Sequence, residues 1–373
     1  MSATRAVHRP DPWLLGTVLA LVSAGVVMVY SASAVLALER HGDSAYFLKR
    51  QIVFAAAGLG VLFAFSRIHY ALWRRAAYPL LGLSLLALAA VLIPGWGAEA
   101  GGARRWLRLG DLSVQPVEPV KFALVVLMSH LLALKGDRIR ELGFGLLPAI
   151  GMAGALSVLV MVQPDVGSGL LLLGVAITLL ILAGARPLHL GAVLAATLPF
   201  LAAFVVSAAY RRRRLLSFLD PWADAEGSGY QMVQSYLSLA QGGWTGEGLM
   251  RGKAKLLFLP APHTDFIFAV VGEELGLLGA GLILALFGVL LWRTSRLATS
   301  CPDPFGAYLA AGFTSWMGLQ ALANLGVVSG LLPTKGMPLP FFSAGGSSLV
   351  ASMAGVGVLL SVGSRNPGKG RPS

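Results

Sequence analysis

The chain has 373 residues, 56% hydrophobic and only 12% charged, with a net charge of +12 and a mean hydropathy of +0.74. That balance excludes an ordinary soluble domain, and apolar runs of spanning length from end to end make the chain a polytopic helical membrane protein. The runs are continuous and do not alternate, which excludes a transmembrane β-barrel, and the basic excess reads as contact with membrane lipids, with no nucleic acid implied.

Ten runs are predicted as helices: 13–36, 51–66, 77–94, 119–134, 143–162, 166–184, 188–208, 265–291, 305–329 and 345–362. The first follows Arg5 and Arg9 as a signal peptide would, yet it is longer than a signal core and reads as a retained helix. Pro148 and Pro199 interrupt later runs, which membrane helices tolerate. Sequence self-similarity of the transporter kind is absent. With both ends in the cytoplasm, Lys and Arg are denser in the cytoplasmic segments. The expected fold is all-α: tails 1–12 and 363–373 around a single ten-helix membrane domain, 13–362.

Most connections are short, and the long ones fall on the outer face. Residues 95–118 contain GGARRWLRLGDLSVQPVEP, and 331–348 read LLPTKGMPLPFFSAGGSS, a rigid folded-back connection. The longest, 209–264, joins helices 7 and 8; Trp222, Tyr230, Tyr236, Trp244 and Phe258 give it enough to bury to be ordered. Its 228–240 portion is predicted as an amphipathic surface helix with Tyr230, Val233, Leu237 and Ala240 on one side.

Chemistry is therefore sought at the outer face. Asp265 opens the eighth run, and an ionisable side chain beside a membrane helix points to function; the alternative is a helix cap. Lys121, one turn inside the fourth helix after Pro119, is its candidate partner, since an ion pair would keep the carboxylate charged and aimed. Its alternative is a lysine snorkelling to the interface. Glu118, three residues earlier, can share a face with Lys121. Glu273 and Glu274 point in different directions and read as bundle contacts, and Asp165, in VQPDVGSG, sits at a tight outer turn.

Three basic clusters lie outside: Arg104, Arg105 and Arg108; Arg211 to Arg214; and Arg251, Lys253 and Lys255. Together they suit a polyanionic, phosphate-bearing ligand, against the alternative of lipid head groups. The glycines of GGWTGEG and GGARRW are read as allowing backbone to approach a ligand. His263 lacks a second metal ligand at useful spacing and reads as structural; the lone Cys301 excludes a disulfide; no HExxH, GxSxG or phosphate-loop pattern occurs. No metal site is predicted, and a divalent cation, Mg or Mn, is left open as a cofactor. A carboxylate base, a lysine and a cationic rim at the membrane boundary fit transfer from a lipid-linked pyrophosphoryl sugar, the carboxylate taking the proton of the attacking hydroxyl and the cations holding the leaving pyrophosphate.

These stretches resemble the SEDS peptidoglycan polymerases, the FtsW branch more than the RodA branch, over residues 13–362: GGARRWLRLGDLSVQPVEPVK, QPDVGS, RRLLSFLDPWADAEGSGYQMVQS, KLLFLPAPHTDFIFAVVGEELGLLG and LLPTKGMPLPFFSAGGSSL. The resemblance implies glycan-strand polymerisation from lipid II in septal wall synthesis, with undecaprenyl pyrophosphate released. It places the presumed catalytic aspartate on Asp265 and its lysine on Lys121, and makes Arg105, Trp106 and the loop after the seventh helix site-lining. His263, Lys335 and Ser347 fall in the matching stretches and join the expected substrate contacts with Glu118, Arg213, Arg214, Lys253 and Lys255. Implied partners are a class B penicillin-binding transpeptidase and other divisome proteins at the cytoplasmic (inner) membrane. Ala344 where the family usually has Tyr, VEP for a SEF-like stretch, and Leu257 at a position acidic in some members are departures. The competing readings are a lipid II flippase and a non-catalytic scaffold.

Overall fold

The structure, a computed structural model, describes residues 11–100, 103–109, 112–260 and 262–365. Most of the two expected tails lies outside the described residues. Each of the ten apolar runs is a helix: α1 (Pro12–His41), α2 (Tyr46–Arg67), α3 (Leu72–Leu92), α4 (Val117–Lys135), α5 (Leu147–Val162), α6 (Val166–Leu182), α7 (Pro187–Val206), α10 (Ile267–Ser300), α11 (Pro304–Val328) and α12 (Gly346–Ser364). Between α7 and α10 stand two shorter helices, α8 (Ala209–Leu219) and α9 (Tyr230–Gly242). Eight helices among the described residues (α1 to α5, α7, α10 and α12) are long and apolar enough to cross a membrane, which makes this a multi-pass membrane protein. α6 is apolar but has 17 residues, and α11 carries Gln320 and Asn324 inside its apolar run.

Local chemistry explains the ends. α1 begins where the Asp11 carboxylate accepts from the N–H groups of Trp13 and Leu14, with Pro12 in the first turn, and stops at Gly42, φ +69°. α4 is the centre of the bundle, buried along nearly its whole length and packed on α3, α6 and α11. α2 lies along α12 through small residues: a Cβ on Gly357 would meet the Leu62 carbonyl at 2.6 Å.

Three features differ from the sequence expectation. The 95–118 connection is not a loop in an all-α protein but a three-stranded antiparallel sheet, β1 (Gly97–Ala100), β2 (Ala103–Leu109) and β3 (Leu112–Val114), with Ala98 opposite Trp106 and Leu107 opposite Val114. Helix α9 exists, but it presents Met232, Val233, Ser235, Ser238 and Gly242 to the protein, while Leu237 is 40% exposed. It packs on α10 so closely that a Cβ on Gly242 would meet the Gly272 carbonyl at 1.8 Å. The face packed on the protein is largely the other one, because a close helix contact selects small residues, not large ones.

The third feature is a break in α10 at Gly276, φ +65°, ψ −167°. The groups it frees are taken up by the GGWTGEG loop. Glu273 and Glu274 carbonyls accept from Glu247 and Gly248 (2.9 and 3.0 Å), and the Leu277 and Leu278 N–H groups donate to Gly243 and Trp244 carbonyls (2.9 and 3.1 Å). The loop's glycines therefore serve its approach to a helix backbone rather than to a ligand. The two glutamates fasten the next segment: Glu273 accepts from the Lys253 and Ala254 N–H groups, and Glu274 takes the Lys255 ammonium at 2.7 Å and the Ser31 hydroxyl at 2.5 Å. Loop, α10 and α1 are thus tied together on both sides of the segment that carries Asp265.

Candidate active site

Asp265 lies just outside α10, whose cap position is Phe266 and which no side chain caps, so the capping alternative is not realised. Its backbone is fixed from α11, where Asn324 Nδ2 donates to the Asp265 carbonyl and to the Met337 carbonyl, both at 2.8 Å. Its carboxylate is partly buried and, among the described residues, has neither a salt bridge nor a hydrogen-bond partner. Burial pushes the carboxyl up to about 6; the neighbouring Asp165 adds to the rise, and Arg214 and Arg105 oppose it. Gly336 keeps a space open beside it: a Cβ there would lie 3.5 Å from Asp265 Oδ2 and 3.9 Å from Arg105 Nη1.

Two cavities come near this carboxylate without including it in their walls: one reaches Gly336 and Arg105, the other its chain neighbour Thr264. One, of about 170 Å³, is cationic, lined by Arg105, Arg211, Arg214 and Lys335 with Asp165 and Gly336. Burial holds the Lys335 ammonium below its ordinary pKa. The other, of about 310 Å³, is lined by Trp106, Arg108, His263, Thr264 and Ser347. The alternation of a strand explains the division: on β2, Trp106 and Arg108 share one face and Arg105 points to the other. Arg105 is clamped to the α5–α6 turn by bonds to the Gln163 carbonyl (3.2 Å) and the Pro164 carbonyl. Asp165 caps α6 through the Ser168 N–H at 3.1 Å, and Ser347 accepts from the Gln115 N–H at 3.2 Å, tying the end of the sheet to α12.

Other expected site residues are placed elsewhere. Lys121 is not ion-paired with Asp265: its ammonium is held by Glu118 at 2.8 Å and Gln320 Oε1 at 2.8 Å and lies 5.2 Å from the Trp316 ring centre. Gln320 also donates to the Pro338 carbonyl at 2.8 Å, so Lys121 and Asp265 are joined indirectly, through α11, where Gln320 and Asn324 sit one turn apart, and through the 337–338 segment that both amides hold. Glu118, expected to touch substrate, is 2% exposed and committed to Lys121. Lys255, expected on phosphate, is 5% exposed with its charge already compensated by Glu274; a buried pair cannot give up one member cheaply. Arg213 is exposed beside Arg214 without lining the cationic cavity, and Lys253 contributes its backbone N–H to Glu273 while its side chain stays exposed.

His263 is brought to the site. It is 8% exposed, its ring lies 4.5 Å from that of Phe47, its carbonyl accepts from the Ala344 N–H at 2.9 Å, and burial pushes it down to about 4, with Arg40 adding to the fall. Missed from sequence were Gln320 and Asn324, whose signal was two amides four residues apart in an apolar run. Among the described residues no three His, Cys, Asp or Glu side chains gather as a metal site.

A family model described as Cell cycle protein, covering FtsW, RodA and SpoVE, matches residues 12–367. A probable peptidoglycan glycosyltransferase FtsW of Geobacter metallireducens is 45% identical over 98% of this chain and 97% of its own length. The Stage V sporulation protein E of Bacillus subtilis is 41% identical over 95% of this chain and 96% of its own. Among solved structures, a chain of a peptidoglycan synthase complex that coordinates polymerization and crosslinking superposes with TM-score 0.78 and 34% identity, covering 95% of this chain and 97% of that one. The rod shape determining protein RodA of Thermus thermophilus superposes with TM-score 0.67 and 30% identity, covering 95% and 96%.

Proposed function

We infer, because this chain belongs to the FtsW/RodA/SpoVE family of cell cycle proteins, that it is a peptidoglycan glycosyltransferase joining lipid II units into glycan strands during septal wall synthesis. In this reading all ten helices span the inner membrane, α6 and α11 included, both termini are cytoplasmic, and Asp265 faces outward. Undecaprenyl pyrophosphate is the leaving group, and a class B penicillin-binding transpeptidase is the partner, as crosslinking accompanies polymerization in the similar synthase complex.

The observation that supports the reading is a carboxylate with no partner among the described residues, set close to the residues that bound a cationic cavity and an aromatic one. The attacking sugar hydroxyl gives its proton to Asp265 as its oxygen bonds to the anomeric carbon. The bond from that carbon to the pyrophosphate oxygen breaks, and the pyrophosphate leaves on its lipid. A base titrating at about 6 is ionised at neutral pH yet basic enough to accept the proton. Arg105, Arg214 and Lys335 hold the pyrophosphate as its charge grows. Lys121 acts as a positioning residue, fixing α4 to α11 and through Asn324 the Asp265 backbone. Trp106 and Ser347 line the opposite wall and hold sugar.

The test is the purified protein, with and without its transpeptidase, given fluorescent lipid II. Long glycan strands are the expected product. Transfer of labelled lipid II across vesicles without strand synthesis would instead favour the flippase reading.

A further inference from the structure

The aromatic cavity beside Asp265 does not end at His263. On the far side of that ring lies a larger cavity of about 860 Å³, bounded by Leu36, Glu39, Arg40, Pro260 and Pro262. Phe47 and His263 line both cavities and form the wall between them, their ring centres 4.5 Å apart at 36°. The run of rings continues outward: Tyr46 lies 5.2 Å from Phe47, and His41 stacks on Tyr46 at 3.9 Å. Exposure grades along it, from buried His263 through half-buried Phe47 and Tyr46 to exposed His41.

The outer cavity contrasts in charge with the cationic one, while the aromatic cavity between them carries Arg50 and Arg108 at its wall. The Lys255 charge is neutralised by Glu274, and Glu39 offsets Arg40. His263 Nδ1 is buried without a hydrogen-bond partner, and its low pKa keeps the ring uncharged at neutral pH. An uncharged imidazole with a spare polar atom suits a hydroxyl or an acetamido group, not a phosphate. Aromatic rings suit the C–H faces of pyranose rings by the same apolar packing they use in cores. Both volumes fall within the roughly 300–1,000 Å³ typical of small-molecule sites.

A polymerising site must clear saccharide from its base after every bond it makes. We propose that these two cavities form a saccharide channel, with Phe47 and His263 as its constriction, through which the glycan leaves Asp265 toward the α1–α2 connection. This rests on the polymerase reading above and adds to it the path of the product.

The test uses the full-length protein with its transpeptidase and fluorescent lipid II, separating the first coupling product from long strands on a gel. Arg40→Trp and Glu39→Trp, at exposed positions that line the outer cavity alone and so safe for folding, obstruct that cavity. Both are expected to keep the first coupling at the wild-type rate and to shorten the strands several-fold. Wild-type strand lengths in both folded variants would overturn the channel while leaving the enzyme intact. Loss of the first coupling in both would place these residues at the reaction step and also overturn it. A wild-type protein that makes no glycan would remove the polymerase reading and the channel together.

Discussion

Replacing Gly276 by alanine tests how the site is held. The residue sits at φ +65°, ψ −167°, a region reached almost solely by glycine, where another residue costs about 1–3 kcal/mol. The new Cβ would also lie 2.4 Å from the Gly246 nitrogen and 2.6 Å from the Trp244 carbonyl. These are backbone atoms and cannot rotate away, so the 242–248 loop must move. Moving it breaks the four hydrogen bonds it makes to α10, each worth about 1 kcal/mol net. Gly276→Ala is therefore expected to destabilise the protein by about 5–7 kcal/mol. Because the loop runs on through Glu273 and Glu274 contacts to Asp265, strand synthesis should fall with it. Gly281→Ala is the control: nothing lies within 4 Å of its would-be Cβ on the same helix, and alanine there gains up to about 1 kcal/mol of helix propensity. The assay is thermal unfolding in detergent alongside glycan synthesis. A Gly276→Ala protein melting with wild type would refute the interlock.

Other expectations follow from the same contacts. If Asp265 is the base, synthesis should rise with pH and reach half its plateau near 6, because the carboxyl raised to about 6 must lose its proton to act; a pH profile flat through that range contradicts this. Lys255→Met leaves the buried Glu274 charge alone and should destabilise the fold by about 3–5 kcal/mol. Adding Glu274→Gln should recover most of the melting temperature, and no recovery would mean the pair is not the cause. Asn324→Leu removes both 2.8 Å bonds to the Asp265 and Met337 carbonyls, leaving two buried acceptors, about 1–3 kcal/mol each. It should lower kcat more than it raises KM, and an unchanged kcat would mean Asp265 is positioned without it.

The membrane helices were legible because spanning a bilayer demands long apolar runs, and every run is a helix. Sheet β1–β3 was not legible: ARRWLRL carries charges at 104, 105 and 108, which break a two-residue alternation, and no β-branched residue to mark a strand. Gly276 looked like any glycine tolerated within a membrane helix, since only its φ reveals the break. Asp265 stood out by type and place, and the Arg105–Trp106 pair by the family resemblance. The charges of Glu118 and Lys255 stood out equally, yet a sequence does not say which charges are already paired in the interior. Gln320 and Asn324 show the converse: amides without charge, buried in an apolar helix, do much of the positioning around Asp265.

The most direct measurement is glycan synthesis by Asp265→Asn in complex with the transpeptidase. The amide keeps shape but cannot take a proton, and it removes a charge that burial disfavours, so the variant should melt no lower than wild type. Loss of general-base help should lower the rate by about 10²–10⁴-fold with folding and partner binding intact. Strand synthesis at the wild-type rate by that folded variant would contradict the account.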